Sequence, residues 1–336
     1  MTRARRSAGP QLFRLPFFVE YNEIDTALGR ALVEAWQTDG GFRVPARLPQ
    51  EAAAERALNA ARGFFREPAD EKSGYVSDLS YSGYSAAGPV TPDGSRATEA
   101  FTVCPDVPVE DRRVREGWPC HGPVPWSSPS FEAALKGFSR VASDLGHRVL
   151  QLIALGLDLG DMNHFRRLTD KGWHHMRAVR SLPADAFGRG LRHPSAALPS
   201  NVLGEPFGGS ALLVVEVHDD DGVSPPREFN VLPGDVMDFL TGGAVPAAPC
   251  SPAPDDHERH TLTFFHAPAF QAVARPLDRD ADAGNFLHYG THRTGMFMRG
   301  RPDCPATARI EDGAGLLTLA RLRHDALRTS RPQQML

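Results

Sequence analysis

The feature that most constrains this fold is a change of sequence pattern near residue 172. Before that point, three long segments carry apolar residues at helical spacing, at residues 24–40, 51–67 and 131–160. After it, short apolar or alternating segments are separated by glycine and proline: WHHMRAVRSL, ALLVVEV, EFNVL, VMDFL and HTLTFFHA. Such segments are typical of the strands of a β-sandwich or barrel. GLLTLARLRHDAL then predicts a closing helix.

This order of elements predicts an α+β fold in which a jelly-roll barrel is held between helices. We divide the chain into a frayed N-terminal segment (1–23), a helical part packed on the barrel (24–170), the jelly-roll core (171–305) and a C-terminal helix (306–336). These parts are expected to form one integrated domain.

Composition excludes several classes of function. The net charge of −4 and the absence of a long basic run argue against nucleic-acid binding. No apolar run approaches the length of a membrane span, and the basic start MTRARRSAG is not followed by the apolar stretch of an export signal. The four cysteines are scattered without a CxxC pair, which indicates reduced thiols and a cytoplasmic protein.

Six sequence blocks carry a family resemblance. YSGYSAAG, EAFTVC, GWPCHGPVPW, GWHHMR, GDVMDFLTGG and HYGTHRTGMFMR occur in this order along the chain. Together they resemble the bacterial ethylene-forming enzymes, which are 2-oxoglutarate- and iron-dependent oxygenases related to isopenicillin N synthase. The resemblance implies a double-stranded β-helix with its pocket inside the barrel mouth. It also implies Fe(II) held by two histidines and one carboxylate, with open positions for 2-oxoglutarate and O₂.

The iron-ligand positions implied by the resemblance do not carry that triad. Cys250 stands where the distal histidine is expected. The H-x-D positions fall on Phe207 to Gly209 when the strand LLVVEV is used as the anchor, which is the register we favour. A second register, anchored on RGL, puts His193 to Ser195 there. The triad is incomplete in both registers, so we predict no metal.

Two other histidine motifs are not taken as metal sites. His218-Asp219-Asp220 spells H-x-D, but it follows a strand, and we interpret it as a solvated turn. In HERH, His257 and His260 are three positions apart, so on a strand they face opposite ways.

Other positions of the pocket agree with the family. The resemblance implies that Arg259, with Thr261 beside it, pairs with the distal carboxylate of 2-oxoglutarate, and that Arg177 and Arg299 lie near the substrate. Arginine is the natural partner of a carboxylate because its planar fork donates two parallel hydrogen bonds. These positions favour a small anionic metabolite as ligand, such as one with two carboxylates.

Three functions remain open from the sequence. The first, which we favour, is a metal-independent enzyme of bacterial secondary metabolism that catalyses isomerisation, cyclisation, elimination or decarboxylation. His174, His175 and Cys250 would be its acid–base or nucleophilic groups. The second is a non-catalytic homologue that binds a partner oxygenase. The third is an oxygenase with an unusual iron site, and only this one requires Fe(II) and 2-oxoglutarate.

Overall fold

A seven-stranded antiparallel sheet forms the centre of the computed structural model, which describes residues 10–89, 96–183, 210–219, 226–248, 258–278 and 284–329. The strands are β1 (Phe42–Pro45), β2 (Gly83–Pro89), β3 (Arg96–Val103), β4 (His175–Pro183), β5 (Leu213–His218), β6 (Glu228–Pro233) and β7 (Arg259–His266). Their spatial order is β1-β6-β5-β7-β4-β3-β2. Two short strands, β8 (Val273–Ala274) and β9 (Leu287–His288), pair separately.

Helices surround this sheet, and they are α1 (Glu23–Asp39), α2 (Leu48–Phe65), α3 (Ala69–Ser73), α4 (Arg112–Arg115), α5 (Pro129–Gly156), α6 (Arg166–Thr169), α7 (Asp235–Leu240), α8 (Tyr289–Gly300), α9 (Pro305–Asp312) and α10 (Gly315–Thr329). Strands β1 to β3 fall within the part predicted as helical, α8 falls within the predicted jelly-roll core, and α9 and α10 occupy the predicted C-terminal helix. None of the described helices is long and apolar enough to cross a membrane.

One face of the sheet is covered by α2 and α5, and α1 packs on α5. Ser128 caps α5 by accepting a hydrogen bond from the Phe131 backbone at 3.2 Å, and Pro129 occupies its first turn. The helix then runs unbroken for 28 residues. α1 approaches it closely because Gly29 has no side chain: a Cβ there would lie 2.1 Å from the Leu152 carbonyl oxygen.

The N-terminal segment is attached to this layer from residue 10 onward. Leu12 forms a parallel bridge with Arg43. The guanidinium of Arg47 donates to the carbonyl oxygens of Leu15 and Pro16, at 3.0 Å each. Described residues 10–22 therefore contact β1 and the start of α2.

The prediction that VMDFL is a strand is wrong, since these residues belong to α7. β6 ends at Pro233, and Gly234 provides the extended cap before the helix. Asp235 opens the first turn, and its carboxylate accepts a hydrogen bond from the Ala211 backbone at 3.0 Å. Five residues are too few to separate a period of two from a period of 3.6, so local contacts decide the conformation.

Candidate active site

The register of the strands separates the two faces of the sheet. On β7, His260, Leu262 and Phe264 point toward the helices, and His260 packs on Phe65 of α2. Arg259, Thr261, Thr263 and Phe265 alternate with them and therefore point to the opposite face. We call this opposite face the inner face.

A row of polar residues crosses the middle of the inner face. Each residue of the row stands directly opposite the next on the neighbouring strand, so all of them point to the same side. We call them the central row: Thr102, Arg177, Thr263, Glu216 and Asn230. On one side lie His175, Phe265, Val214 and Leu232, and on the other lie Ala100, Val179, Thr261 and His218.

Several polar atoms of the inner face are buried without a partner among the described residues: Ser85 Oγ, Thr102 Oγ1, His175 Nδ1 and Glu216 Oε2. A buried polar atom without a hydrogen bond costs roughly 1–3 kcal/mol, and native proteins contain few of them. These atoms, together with the central row, make the inner face the candidate surface for a ligand.

The arginines predicted from the family resemblance separate into two groups. Arg177 belongs to the central row, and Arg259 and Thr261 point to the same face. Arg299 instead lies exposed on α8. The assignment of these residues to ligand binding stays a prediction. Glu216 and Thr102 belong to no sequence motif. Only the register of the strands places them on this face.

The two adjacent histidines at the start of β4 point to different sides of the sheet. His175 lies on the inner face and stacks on Phe265 with ring centroids 4.1 Å apart. Burial, followed by the charges of Arg293 and Arg177, holds the pKa of His175 well below its ordinary value, so its ring is neutral. His174 lies on the side of the helix layer, against the rings of His266 of β7 and His147 of α5. Its Nδ1 accepts a hydrogen bond from the Ala267 backbone at 3.0 Å. Only His175 is placed where a ligand on the inner face would meet it.

The H-x-D sequence at residues 218–220 has a structural role that the sequence did not reveal. The interpretation of residues 218–220 as a solvated turn is wrong for Asp219, which is buried. Its Oδ2 accepts from Arg62 Nε and Nη2 at 3.0 and 2.9 Å, and its Oδ1 accepts from the His260 backbone at 2.8 Å. Asp219 therefore connects α2 to the sheet. Asp220 lies outside the described residues, and so does His257 of the HERH motif.

The positions considered for iron also lie outside the described residues: Phe207, Gly209, Cys250, His193 and Ser195. Within the described ranges, no group of three histidine, cysteine, aspartate or glutamate side chains could hold a metal ion.

Comparison with known proteins relates this geometry to a family. The family model described as "non-haem dioxygenase in morphine synthesis N-terminal" matches residues 15–129. A 2-oxoglutarate-dependent ethylene/succinate-forming enzyme of Ralstonia nicotianae is 39% identical over 331 residues, covering 91% of this chain and 95% of the relative.

Two solved structures share the fold. A putative 2OG-Fe(II) oxygenase family protein of Caulobacter crescentus aligns with a TM-score of 0.63 at 19% identity, covering 86% of this chain and 99% of its own. A full-length Neurospora crassa protein, solved in complex with alpha-KG (2-oxoglutarate), aligns with a TM-score of 0.63 at 15% identity, covering 87% of this chain and 97% of its own. The predicted jelly-roll barrel with flanking helices is confirmed.

These similarities contradict the prediction of a metal-independent enzyme that has lost the iron triad. The overturning finding is the relative of Ralstonia nicotianae, which matches nearly the whole chain and is 2-oxoglutarate-dependent by name. The expectation that no cofactor is used has no support either. The H-x-D positions were placed by register alone, and the two anchors, LLVVEV and RGL, gave different residues. Of the three functions considered, the oxygenase agrees with the findings.

Proposed function

This chain belongs to the 2-oxoglutarate-dependent oxygenases, in the group of the ethylene/succinate-forming enzyme, and from that membership we propose that it is an iron(II)- and 2-oxoglutarate-dependent oxygenase of a small anionic metabolite. The observation that carries the proposal is the strand register that turns Arg259, Thr261 and Arg177 toward one face. A five-carbon dicarboxylate needs a cation at its distal end and hydroxyl donors around it.

The residues of the inner face fit 2-oxoglutarate. Arg259 would pair with its distal carboxylate, and Thr261, opposite Val179 and His218 on the neighbouring strands, would donate its hydroxyl to the same group. Thr263 and Thr102 of the central row offer further donors toward the middle of the face. Neutral His175 adds no charge at the far end, so the arginines supply the cations of this face, while Glu216 stands across Thr263 from Arg177 in the central row.

Bound Fe(II) would supply the centre where O₂ is reduced as 2-oxoglutarate is oxidised to succinate and CO₂. The described residues provide no ligand set for it, so the ligands are sought in residues 184–209 and 249–257. Cys250 is the candidate shared by both sequence registers, and His193 belongs to only one of them.

An anaerobic titration tests this proposal. Wild-type protein is titrated with Fe(II) and 2-oxoglutarate and monitored for the visible charge-transfer band that forms when 2-oxoglutarate coordinates Fe(II). We expect a stoichiometric band, and we expect Arg259→Ala to weaken 2-oxoglutarate binding by ten-fold or more, since truncating one partner of a buried charge pair costs about 2–5 kcal/mol. Arg309→Ala, at an exposed position on α9, is the matched control.

Variants also separate the two sequence registers. Loss of the band in Cys250→Ala alone favours the register that puts Phe207 to Gly209 at the H-x-D positions. Loss in both Cys250→Ala and His193→Ala favours the second register. A wild-type protein that binds 2-oxoglutarate with and without Fe(II) equally, and shows no band, contradicts the proposed function.

A further inference from the structure

Arg293 carries a buried guanidinium that the described residues leave partly unsatisfied. It lies on α8 at 1% exposure, and its Nε and Nη1 have no hydrogen-bond partner there. Its Cζ lies 3.5 Å from the ring centroid of Phe297 and 5.9 Å from that of Trp173. A cation in this position is unusual, because arginine is almost never fully buried without a partner.

The aromatic contact does not balance this burial. A desolvated cation–π contact offsets only part of the cost of burying a guanidinium. The remaining cost is offset when an anion occupies the site. Arg293 is therefore a group held ready for a ligand, in the way that preorganised charges in binding sites are.

The surroundings of Arg293 also carry unused polar atoms. Trp173 Nε1, which only donates, is buried without a partner among the described residues, and so is His175 Nδ1. The His175 ring lies 6.1 Å from Phe297 and 6.2 Å from Trp173, so it shares both aromatic neighbours with Arg293. Arg293 and Trp173 therefore both carry unused donors near the His175 end of the inner face, and an acceptor with negative charge would complement them.

The start of α8 is fixed in position by three contacts. His288 caps the helix and accepts from the Thr291 backbone at 3.3 Å. His292 Nε2 lies 2.6 Å from the Asp235 carboxylate, so that acid already has a partner. Tyr289 donates to the Ser210 carbonyl at 2.8 Å. The guanidinium is therefore carried by a rigid element.

We propose that Arg293 is the specificity-determining residue of a second anion subsite, which holds a carboxylate of the substrate while 2-oxoglutarate occupies the Arg259 end. This inference rests on the proposed function. His175 stands opposite Phe265 and Ser181 stands opposite Arg259, so the two ends are six residues apart, or about 20 Å along the strand. One five-carbon dicarboxylate does not span that distance. The substrate is accordingly a carboxylic acid that binds as a second, separate molecule.

The test uses the full chain and glutarate as probe. Glutarate is titrated into protein saturated with Fe(II) and 2-oxoglutarate under anaerobic conditions, and tryptophan fluorescence is monitored, since Trp173 lies beside Arg293. The variants are Arg293→Met, which keeps a side chain of similar length against Phe297, and Arg293→Lys, which keeps the charge but loses the planar fork. Arg309→Met is the control at an exposed position.

We expect wild type and Arg309→Met to bind glutarate alike, Arg293→Met to bind it at least ten-fold more weakly, and Arg293→Lys to fall between them. All four proteins should bind 2-oxoglutarate equally. Without anions, Arg293→Met should resist urea better than wild type, because a buried and partly unsatisfied charge is gone. The inference is overturned by equal glutarate affinity in wild type and Arg293→Met, by tighter binding of inorganic phosphate than of glutarate, or by lower stability of Arg293→Met. Loss of 2-oxoglutarate binding in all four proteins would instead refute the proposed function.

Discussion

Histidines whose pKa values are depressed by burial should make the folded protein sensitive to mild acid. Burial lowers the pKa of His121 and of His174 to about 4, and burial holds the pKa values of His175 and His266 well below the ordinary value. In the unfolded chain each pKa returns to about 6.5, so the unfolded state binds more protons below that pH. The free energy of unfolding is therefore intact above pH 6.5 and decreases as the pH falls toward 4.

The size of the effect follows from the same values. A histidine with a pKa of about 4 when folded and about 6.5 when unfolded reduces the free energy of unfolding by about 1.4 kcal/mol between neutral pH and pH 5.5. The two groups with a folded pKa of about 4 together remove about 3 kcal/mol, and His175 and His266 act in the same direction, so the loss is a large part of the total stability of many proteins. We expect the urea midpoint, followed by tryptophan fluorescence, to fall steeply between pH 7.5 and 5.5.

One substitution isolates a single histidine. Nδ1 of His121 lies 2.7 Å from the carbonyl oxygen of Pro119. His121→Gln keeps an N–H donor for that oxygen while removing the titrating group. Its loss of stability between pH 7.5 and 5.5 should be smaller than that of wild type by about 1.4 kcal/mol. His324→Gln, at a side chain that is 69% exposed, should leave the slope unchanged. A flat wild-type profile, or an unaltered slope in His121→Gln, would refute the reasoning.

Three further substitutions test packing contacts and charge pairs. Glu99→Gln should lower the free energy of unfolding by about 3–5 kcal/mol in urea, because buried Lys72 loses its carboxylate partner and half-buried Arg180 loses one of its two. Gly29→Ala should cost roughly 1–3 kcal/mol, since its Cβ would meet the Leu152 carbonyl and push α1 from α5; a melting temperature equal to wild type would contradict that contact. Asp219→Asn should lower the free energy of unfolding by about 1–3 kcal/mol, because the pair with Arg62 is weakened. It should leave 2-oxoglutarate affinity unchanged in the anaerobic titration. Weakened 2-oxoglutarate binding would instead place Asp219 in the site.

The sequence predicted those parts of the fold that long periodic segments and ordered blocks specify. α1, α2 and α5 follow from helical spacing, and the end of GWHHMR forms the start of β4, which begins at His175. The short strand β1 escaped prediction because its four residues, Phe42–Pro45, carry too little pattern. VMDFL was assigned to the wrong class because its apolar residues suit both periods.

The candidate site was only partly predictable, because its members meet through strand register. Arg177 and Arg259 were recognised from motifs, but the central row exists only once β3 to β7 are aligned. Arg293 stands inside the block HYGTHRTGMFMR, and nothing in a single sequence indicates that its guanidinium is buried. Likewise, Asp219 resembled a turn residue until α2 brought Arg62 to it. Long-range packing decides such roles, and local patterns do not contain it.

Conversion of 2-oxoglutarate to succinate is the most direct test of the central claim. Purified protein is supplied with Fe(II), ascorbate, O₂ and 2-oxoglutarate, and succinate is measured against a control without enzyme and against Arg259→Ala. Even without the true substrate, 2-oxoglutarate oxygenases are expected to consume some co-substrate, so the account predicts succinate above the control, with O₂ uptake in proportion, and a marked reduction in the variant. Succinate at the level of the control across a range of Fe(II) concentrations, from protein shown by its urea transition to be folded, would contradict the assignment as an oxygenase.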